Sequence, residues 1–252
     1  MKQRLTICFG LTGWILVALL AYLAAPRIRN HFFLRVPALK REQWAQVLAH
    51  KKSELAPAWH DPRPLMVIAG DSQIEMGDWY DLFGGAFAIR NCGLSRAKIE
   101  DVSSLIPAIG GPRPKIVVLM CGENNIFAKD SVATCLKDYR QLLAVVQTTL
   151  QPERLLVLSV MPVKESGLDP FSQDFNRQVA GLNHELAPLC PQFKAEFVNV
   201  NPVLLDHRGG LAAGLTLDGL HLNGAGYQRL AGVLTAAFAQ TNDAPVYELR
   251  NP

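Results

Sequence analysis

The sequence predicts an α/β fold, a three-layer α/β/α sandwich around a five-stranded parallel sheet, preceded by one hydrophobic N-terminal span. Three observations lead there. Five short β-prone runs alternate with segments of helical periodicity between residues 63 and 242. Polar clusters containing glycine follow the first and third runs. The 21 residues from Leu5 to Ala25 carry no charge. Strands that alternate with helices pair in parallel and are covered on both faces, and such sheets bind ligands beyond the carboxyl ends of their strands.

Composition narrows the class before any motif is read. Of 252 residues, 49% are hydrophobic and 19% charged, too apolar and too weakly charged for a disordered chain. Sixteen prolines and nineteen glycines without a period exclude collagen-like and repeat architectures. The net charge of +3 conceals a division: residues 1–60 hold nine basic and two acidic residues, leaving 16 basic and 20 acidic for the remainder. A nucleic-acid binder would carry its positive charge on the folded domain, so no nucleic-acid partner is expected.

The uncharged run LTICFGLTGWILVALLAYLAA explains a mean hydropathy of +0.12. At about 1.5 Å per helical residue it matches a hydrocarbon core roughly 30 Å thick. It exceeds the apolar region of a typical cleaved signal, and Pro26 after Ala24-Ala25 is a poor place to cut. Residues 1–26 are therefore expected to be an uncleaved signal anchor, a single-pass transmembrane helix with residues 5–25 in the membrane. A cleaved signal and a buried helix are the weaker readings. Lys2 and Arg4 favour an extracytoplasmic, periplasmic domain, whereas Arg27, Arg29, Arg35, Lys40 and Arg41 favour the opposite, so a cytoplasmic orientation stays open. The basic cluster suits lipid head groups. Five cysteines without CxxC spacing signal neither a disulfide framework nor a zinc site, and no metal is expected.

Residues 27–62 read as a basic juxtamembrane connector, helical from Arg41 to Glu54 and then broken by Pro57, Pro62 and Pro64. Residues 63–242 form the α/β domain, and 243–252 a tail. Strands are expected at Leu65–Ala69, Ala86–Arg90, Lys115–Cys121, Leu155–Val160 and Glu196–Val200. Val132, Leu136, Tyr139, Leu142, Leu143 and Val146 recur at helical intervals, and Phe171 to Leu189 and Gly224 to Ala239 read similarly.

Candidate chemistry sits where the sheet expects it. Gly70-Asp71-Ser72 ends the first strand, where a serine can open a helix whose free N–H groups stabilise developing negative charge. Gly122-Glu123-Asn124-Asn125 ends the third, where an asparagine amide can donate to an oxyanion. In LDGLHLNGAGY, Asp218 lies three residues before His221, close enough to orient its imidazole. Each alone is a common turn. The ordered set is not.

GDS at Gly70–Ser72, the region of Gly93, GENN at Gly122–Asn125 and DGLH at Asp218–His221 resemble the four sequence blocks of the SGNH (GDSL) hydrolases. The Asn-Asn ending, the stretch from Trp79 to Phe83 and the run from His221 to Tyr227 are most similar to the platelet-activating-factor acetylhydrolase-like and lysophospholipase-like esterases. The resemblance spans roughly residues 65–240. It implies a flavodoxin-like sheet, a Ser72 nucleophile, His221 as base and Asp218 as its orienting partner. It further implies an oxyanion held by the Ser72 N–H, the Asn124 amide and an N–H of the second block, with no cofactor. That block reads Asn91-Cys92-Gly93-Leu94-Ser95-Arg96, so Gly93 matches the first glycine of the pattern, while Arg96 replaces the second, the usual donor. The Arg96 N–H remains competent only if its φ and ψ tolerate a Cβ.

Other polar residues are expected to be structural. Glu75 and Asp78 read as exposed acids, His184 and His207 as surface residues, Trp79 and Tyr80 as core, and Asp71 and Glu123 as loop structure. The function implied is a serine esterase removing a short acyl group, acetyl above all, from a carbohydrate, lipid or small ester. The alternatives are a catalytically weak, membrane-tethered accessory subunit and an envelope polysaccharide acyltransferase. A second copy of the chain or an envelope-assembly partner stays open.

Overall fold

The structure, a computed structural model, describes residues 41–57, 60–165 and 170–239. The anchor expected at residues 5–25 and the tail at 243–252 lie outside the described residues. Among the described residues no helix is long and apolar enough to cross a membrane. The chain divides into two compact units, Met1–Gln46 and Val47–Pro252, and the sheet with its covering helices belongs to the second.

Five parallel strands, β1 (Leu65–Gly70), β2 (Ala88–Gly93), β3 (Ile116–Met120), β4 (Arg154–Leu158) and β5 (Glu196–Val198), lie in the order β2-β1-β3-β4-β5. This is the flavodoxin-like order, with its reversal at β1. All residues of β1 and β3 are buried, as central strands covered on both faces must be. Met66, Ile68, Ile116, Val118, Met120, Leu156 and Leu158 point to one face. There they meet α2 (Ser72–Glu75), α3 (Trp79–Phe83) and α9 (Gly224–Ala239) through Ile74, Trp79, Phe83, Tyr227 and Phe238. Trp79 stands edge-on to Tyr227, with centroids 5.7 Å apart. The alternate residues Val67, Val117, Leu119, Leu155 and Val157 are equally buried and by strand periodicity face the other side. The helices α4 (Ile99–Leu105), α6 (Val132–Thr149), α7 (Pro170–Leu189) and the short α8 (Asn201–Leu204) complete the fold, α4 packing on α6 and α6 on α7.

The second strand departs from expectation. It runs to Gly93 because parallel pairing with β1 continues to Gly70↔Gly93, so Asn91-Cys92-Gly93 is strand and not loop. Ala86 and Phe87 instead close onto the Phe83 carbonyl, with N–O distances of 3.0 and 3.1 Å. The connector reaches further into the domain than its polarity implies. Its helix α1 (Arg41–Leu55) ends on a buried Leu55, whose carbonyl accepts from Arg90 Nη1 (2.9 Å) and from the Gly110 N–H (2.9 Å). Cys92, Cys121, Cys135 and Cys190 are buried and free.

Candidate active site

The strand register gathers the chemistry on one rim. Gly70 pairs with Gly93 on one side and with Met120 on the other, so the segments after β1, β2 and β3 emerge together. Asp71 caps α2 by accepting from the Gln73 N–H at 3.1 Å, and Ser72 is the first residue of that helix. The Ser72 N–H has no acceptor among the described residues, as is usual in a first helical turn.

Ser72 Oγ lies 3.0 Å from His221 Nε2, and His221 Nδ1 lies 2.7 Å from Asp218 Oδ2. The carboxylate fixes the tautomer: Nδ1 carries the proton donated to Asp218, leaving the Nε2 lone pair to face the serine hydroxyl. Asp218 Oδ1 also accepts from the backbone N–H groups of Leu220 (2.9 Å) and His221 (2.8 Å). Burial pushes the Asp218 carboxyl up, but the bonds from the His221 ring and these backbone donors outweigh it, so it sits below the usual carboxylate range. The Thr216 hydroxyl donates to the His221 carbonyl at 2.8 Å and accepts from the Gly219 N–H at 2.9 Å, closing the loop.

Asn124 is the second residue of α5 (Glu123–Phe127), entered through Gly122 at φ 122°, a conformation that favours glycine. One N–H of its amide donates to the Ala97 carbonyl at 3.0 Å, which aims the other; that second N–H has no acceptor among the described residues. The neighbouring Asn125 is wholly buried and structural. It accepts from the Ile99 N–H at 2.9 Å and donates to Glu100 (3.2 Å) and Asp130 (3.1 Å).

Of the two candidates in the second block, Gly93 and Arg96, Gly93 has its N–H already engaged. Its N–H donates to Asn91 Oδ1 at 2.9 Å, and a Cβ there would stand 2.2 Å from the Glu75 N. Its role is close packing of β2 against α2. Arg96 is the third residue of the turn Leu94–Ala97, closed by the Ala97 N–H donating to the Leu94 carbonyl at 3.0 Å. Its φ of 70° is the left-handed value that the third position of a type II turn demands. Arg96 therefore holds a left-handed conformation that favours glycine, and its N–H has no acceptor among the described residues.

Several structural expectations need correction. Glu75 is exposed, as expected, and it also holds the Arg96 turn, accepting from the Ser95 N–H (2.9 Å) and the Ser95 hydroxyl. Tyr80 is exposed, with the Arg63 guanidinium over its ring; only Trp79 enters the core, donating to the Ile74 carbonyl. His184 and His207 are exposed, as expected. Asp71 and Glu123 are buried rather than loop acids. Burial raises the Asp71 carboxyl to about 7, and burial together with the Asp71 charge holds Glu123 well above its ordinary value. Asp71 Oδ2 has no hydrogen-bond partner.

Gln73 belongs to none of the sequence motifs. Buried between these carboxyls and the histidine loop, it donates through Nε2 to the Leu220 carbonyl at 2.8 Å and accepts at Oε1 from the Leu222 N–H at 3.4 Å. It thus grips the peptide groups on both sides of His221, while its own carbonyl accepts from the Tyr227 hydroxyl at 2.7 Å. The only signal available was an amide one residue after the serine, next to the apolar Ile74.

Among the described residues no group of three or more His, Cys, Asp or Glu could hold a metal ion. A nucleophile paired to an oriented imidazole beside unoccupied N–H donors is competent for acyl transfer.

Comparison with known proteins gives the family. Among solved structures, a Streptococcus pneumonia protein described as a platelet activating factor superposes with a TM-score of 0.68 at 23% identity, covering 85% of this chain and 98% of that one. A GDSL-like lipase from Bacteroides thetaiotaomicron gives 0.59 at 19% identity, over 76% and 95% of the two chains. An acetylxylan esterase from Geobacillus stearothermophilus gives 0.53 at 16% identity, over 70% and 94%. At these identities the likeness is one of fold. No curated protein matches the chain. The model of the GDSL-like Lipase/Acylhydrolase family matches residues 68–229, more than half of the sequence and all four blocks, so the chain belongs to that family and is a carboxylic ester hydrolase.

Proposed function

We propose that Ser72 is the nucleophile of a serine esterase that removes a short acyl group, above all acetyl, from a carbohydrate, lipid or small ester. The observation that carries this reading is the hydrogen-bonded row Ser72–His221–Asp218, with spacings of 3.0 and 2.7 Å. His221 Nε2 takes the Ser72 proton as Oγ attacks the ester carbonyl, and Asp218 stabilises the imidazolium that forms. The oxyanion is received by the N–H groups of Ser72 and Arg96 and the free N–H of Asn124. His221 then protonates the leaving alcohol, and water activated by the same nitrogen hydrolyses the acyl-enzyme. The acetylxylan esterase among the structures of like fold supports a small acyl group.

The full-length chain is expected to hydrolyse p-nitrophenyl acetate and to be labelled at Ser72 by a fluorophosphonate. Ser72→Ala should lose about 10⁴-fold or more in turnover; turnover at the wild-type level would overturn the assignment.

Arg96 favours a second reading. A side chain at a strained position beside the oxyanion could obstruct the site and leave a weak enzyme serving as a tethered accessory subunit. Little activity in the wild type, restored by Arg96→Gly, is the signature of that state.

A further inference from the structure

A cavity of about 340 Å³ is lined by Leu217 and Leu222, which flank the Asp218–His221 loop along the chain, and by Met76 and Leu82, with Asp78 and Asp81 among its polar residues. Its walls continue directly from the chemistry. Met76 closes the helix that Ser72 opens, its N–H donating to the Ser72 carbonyl at 3.0 Å. Leu217 precedes Asp218, and Leu222 follows His221. Met76 and Leu217 are 47% and 65% exposed, two of only four large hydrophobic residues so exposed among the described residues. No lysine or arginine lines the cavity.

Its position says which half of an ester it can hold. Leu222 and Tyr227 belong to the core cluster that joins α2, α3 and α9 on one face of the sheet, and Leu82 packs against that cluster. Asn124 is tied through Ala97 to the Arg96 turn, and its helix α5 packs on α7. The carbonyl oxygen turns toward Asn124 and Arg96. The oxygen that leaves must face His221 Nε2, its proton donor, and the group it carries then runs over the residues that flank His221.

We propose that this cavity is the subsite for the alcohol half of the ester, selecting alcohols with an apolar stem and no negative charge. The proposal rests on the catalytic reading of Ser72 and His221. The Ser72 Oγ–acyl bond forms, the acyl–alkoxy C–O bond breaks, and the proton taken from Ser72 passes through Nε2 to the alkoxy oxygen. The alcohol departs neutral along Met76, Leu82 and Leu217. Asp78 and Asp81 disfavour carboxylate- or phosphate-bearing alcohols by like-charge repulsion.

Two ester series on the full-length chain test this: acetates of straight-chain alcohols from ethyl to octyl, and p-nitrophenyl esters from acetate to octanoate. kcat/KM is expected to rise about fourfold per fully buried methylene along the alcohol series, and not along the acyl series. An acetate whose alcohol bears a carboxylate should react about tenfold more slowly than its neutral analogue, a gap that narrows in Asp78→Asn/Asp81→Asn. Met76→Ser/Leu217→Ser, both at exposed positions, should flatten the alcohol slope. A slope on the acyl series, or an alcohol slope that survives that double variant, overturns the subsite alone. Hydrolysis of none of these esters, with no fluorophosphonate labelling, overturns the catalytic reading and the subsite with it.

Discussion

At Arg96 the backbone adopts φ 70°, where a Cβ costs roughly 1–2 kcal/mol. The turn keeps that conformation because its neighbours are held: Ser95 by Glu75, and the Ala97 carbonyl by Asn124. The motif has changed its side chain and kept its N–H. Asn124 fixes this turn and aims a donor of its own, so Asn124→Ala is expected to lower kcat by about 10²–10³, as steady-state hydrolysis of p-nitrophenyl acetate will show. Asp71 carries a different consequence. Its folded-state value, about 7, lies above the unfolded one, so ionising it counts against the folded state as pH rises past the unfolded value. The Glu123 carboxyl, itself held well above its ordinary value by burial and by the Asp71 charge, and the hydroxyls of Tyr139 and Tyr227 share its surroundings. Asp71→Asn cannot ionise and keeps the acceptor for the Gln73 N–H. Its melting temperature relative to wild type should climb between about pH 5 and about pH 8. A difference that is the same at both ends would refute this.

Between elements, Gln73 joins the helix that Ser72 opens to the loop that carries His221. The grip on Leu220 and Leu222 sets where Nε2 points without touching substrate, which makes Gln73 a positioning residue. Displacements of about 1 Å can cost about 10²-fold in rate. Gln73→Leu, similar in volume but without these bonds, should therefore lower kcat by about 10- to 100-fold while KM stays within about twofold. A fall in stability with unchanged kcat would make Gln73 merely a packing residue. Gly93 joins β2 to α2 at a distance no side chain tolerates. Gly93→Ala is expected to shift α2, lowering both melting temperature and turnover, because Ser72 rides on that helix.

Across the whole molecule, an acidic α/β domain follows a basic, apolar N-terminal segment. We propose that residues 5–25 tether the enzyme to a membrane with its domain on the extracytoplasmic side. A reporter active only outside the cytoplasm, fused at the C-terminus, should be active, and the chain should sediment with membranes through alkaline washing. A cytoplasmic signal would reverse the orientation. The central strands β1, β3 and β4 were legible in sequence because strands covered on both faces are apolar nearly throughout, and the long helices because their apolar residues repeat at three and four. Ser72, Asn124, Asp218 and His221 were legible because each follows its element in a recognisable block. The end of β2, the Gly93 N–H bonded to Asn91, the burial of Asp71 and Glu123, and the grip of Gln73 were not. Each depends on which backbone lies across from it, and a linear pattern carries periodicity and local turns but no partners. The sequence by itself therefore determined the architecture, the order of the chemistry and the family. The tertiary structure alone decided which of the Ser72, Gly93 and Arg96 N–H groups lack an acceptor among the described residues and which apolar surface flanks the Asp218–His221 loop, because hydrogen bonds and cavities belong to pairs of segments distant along the chain.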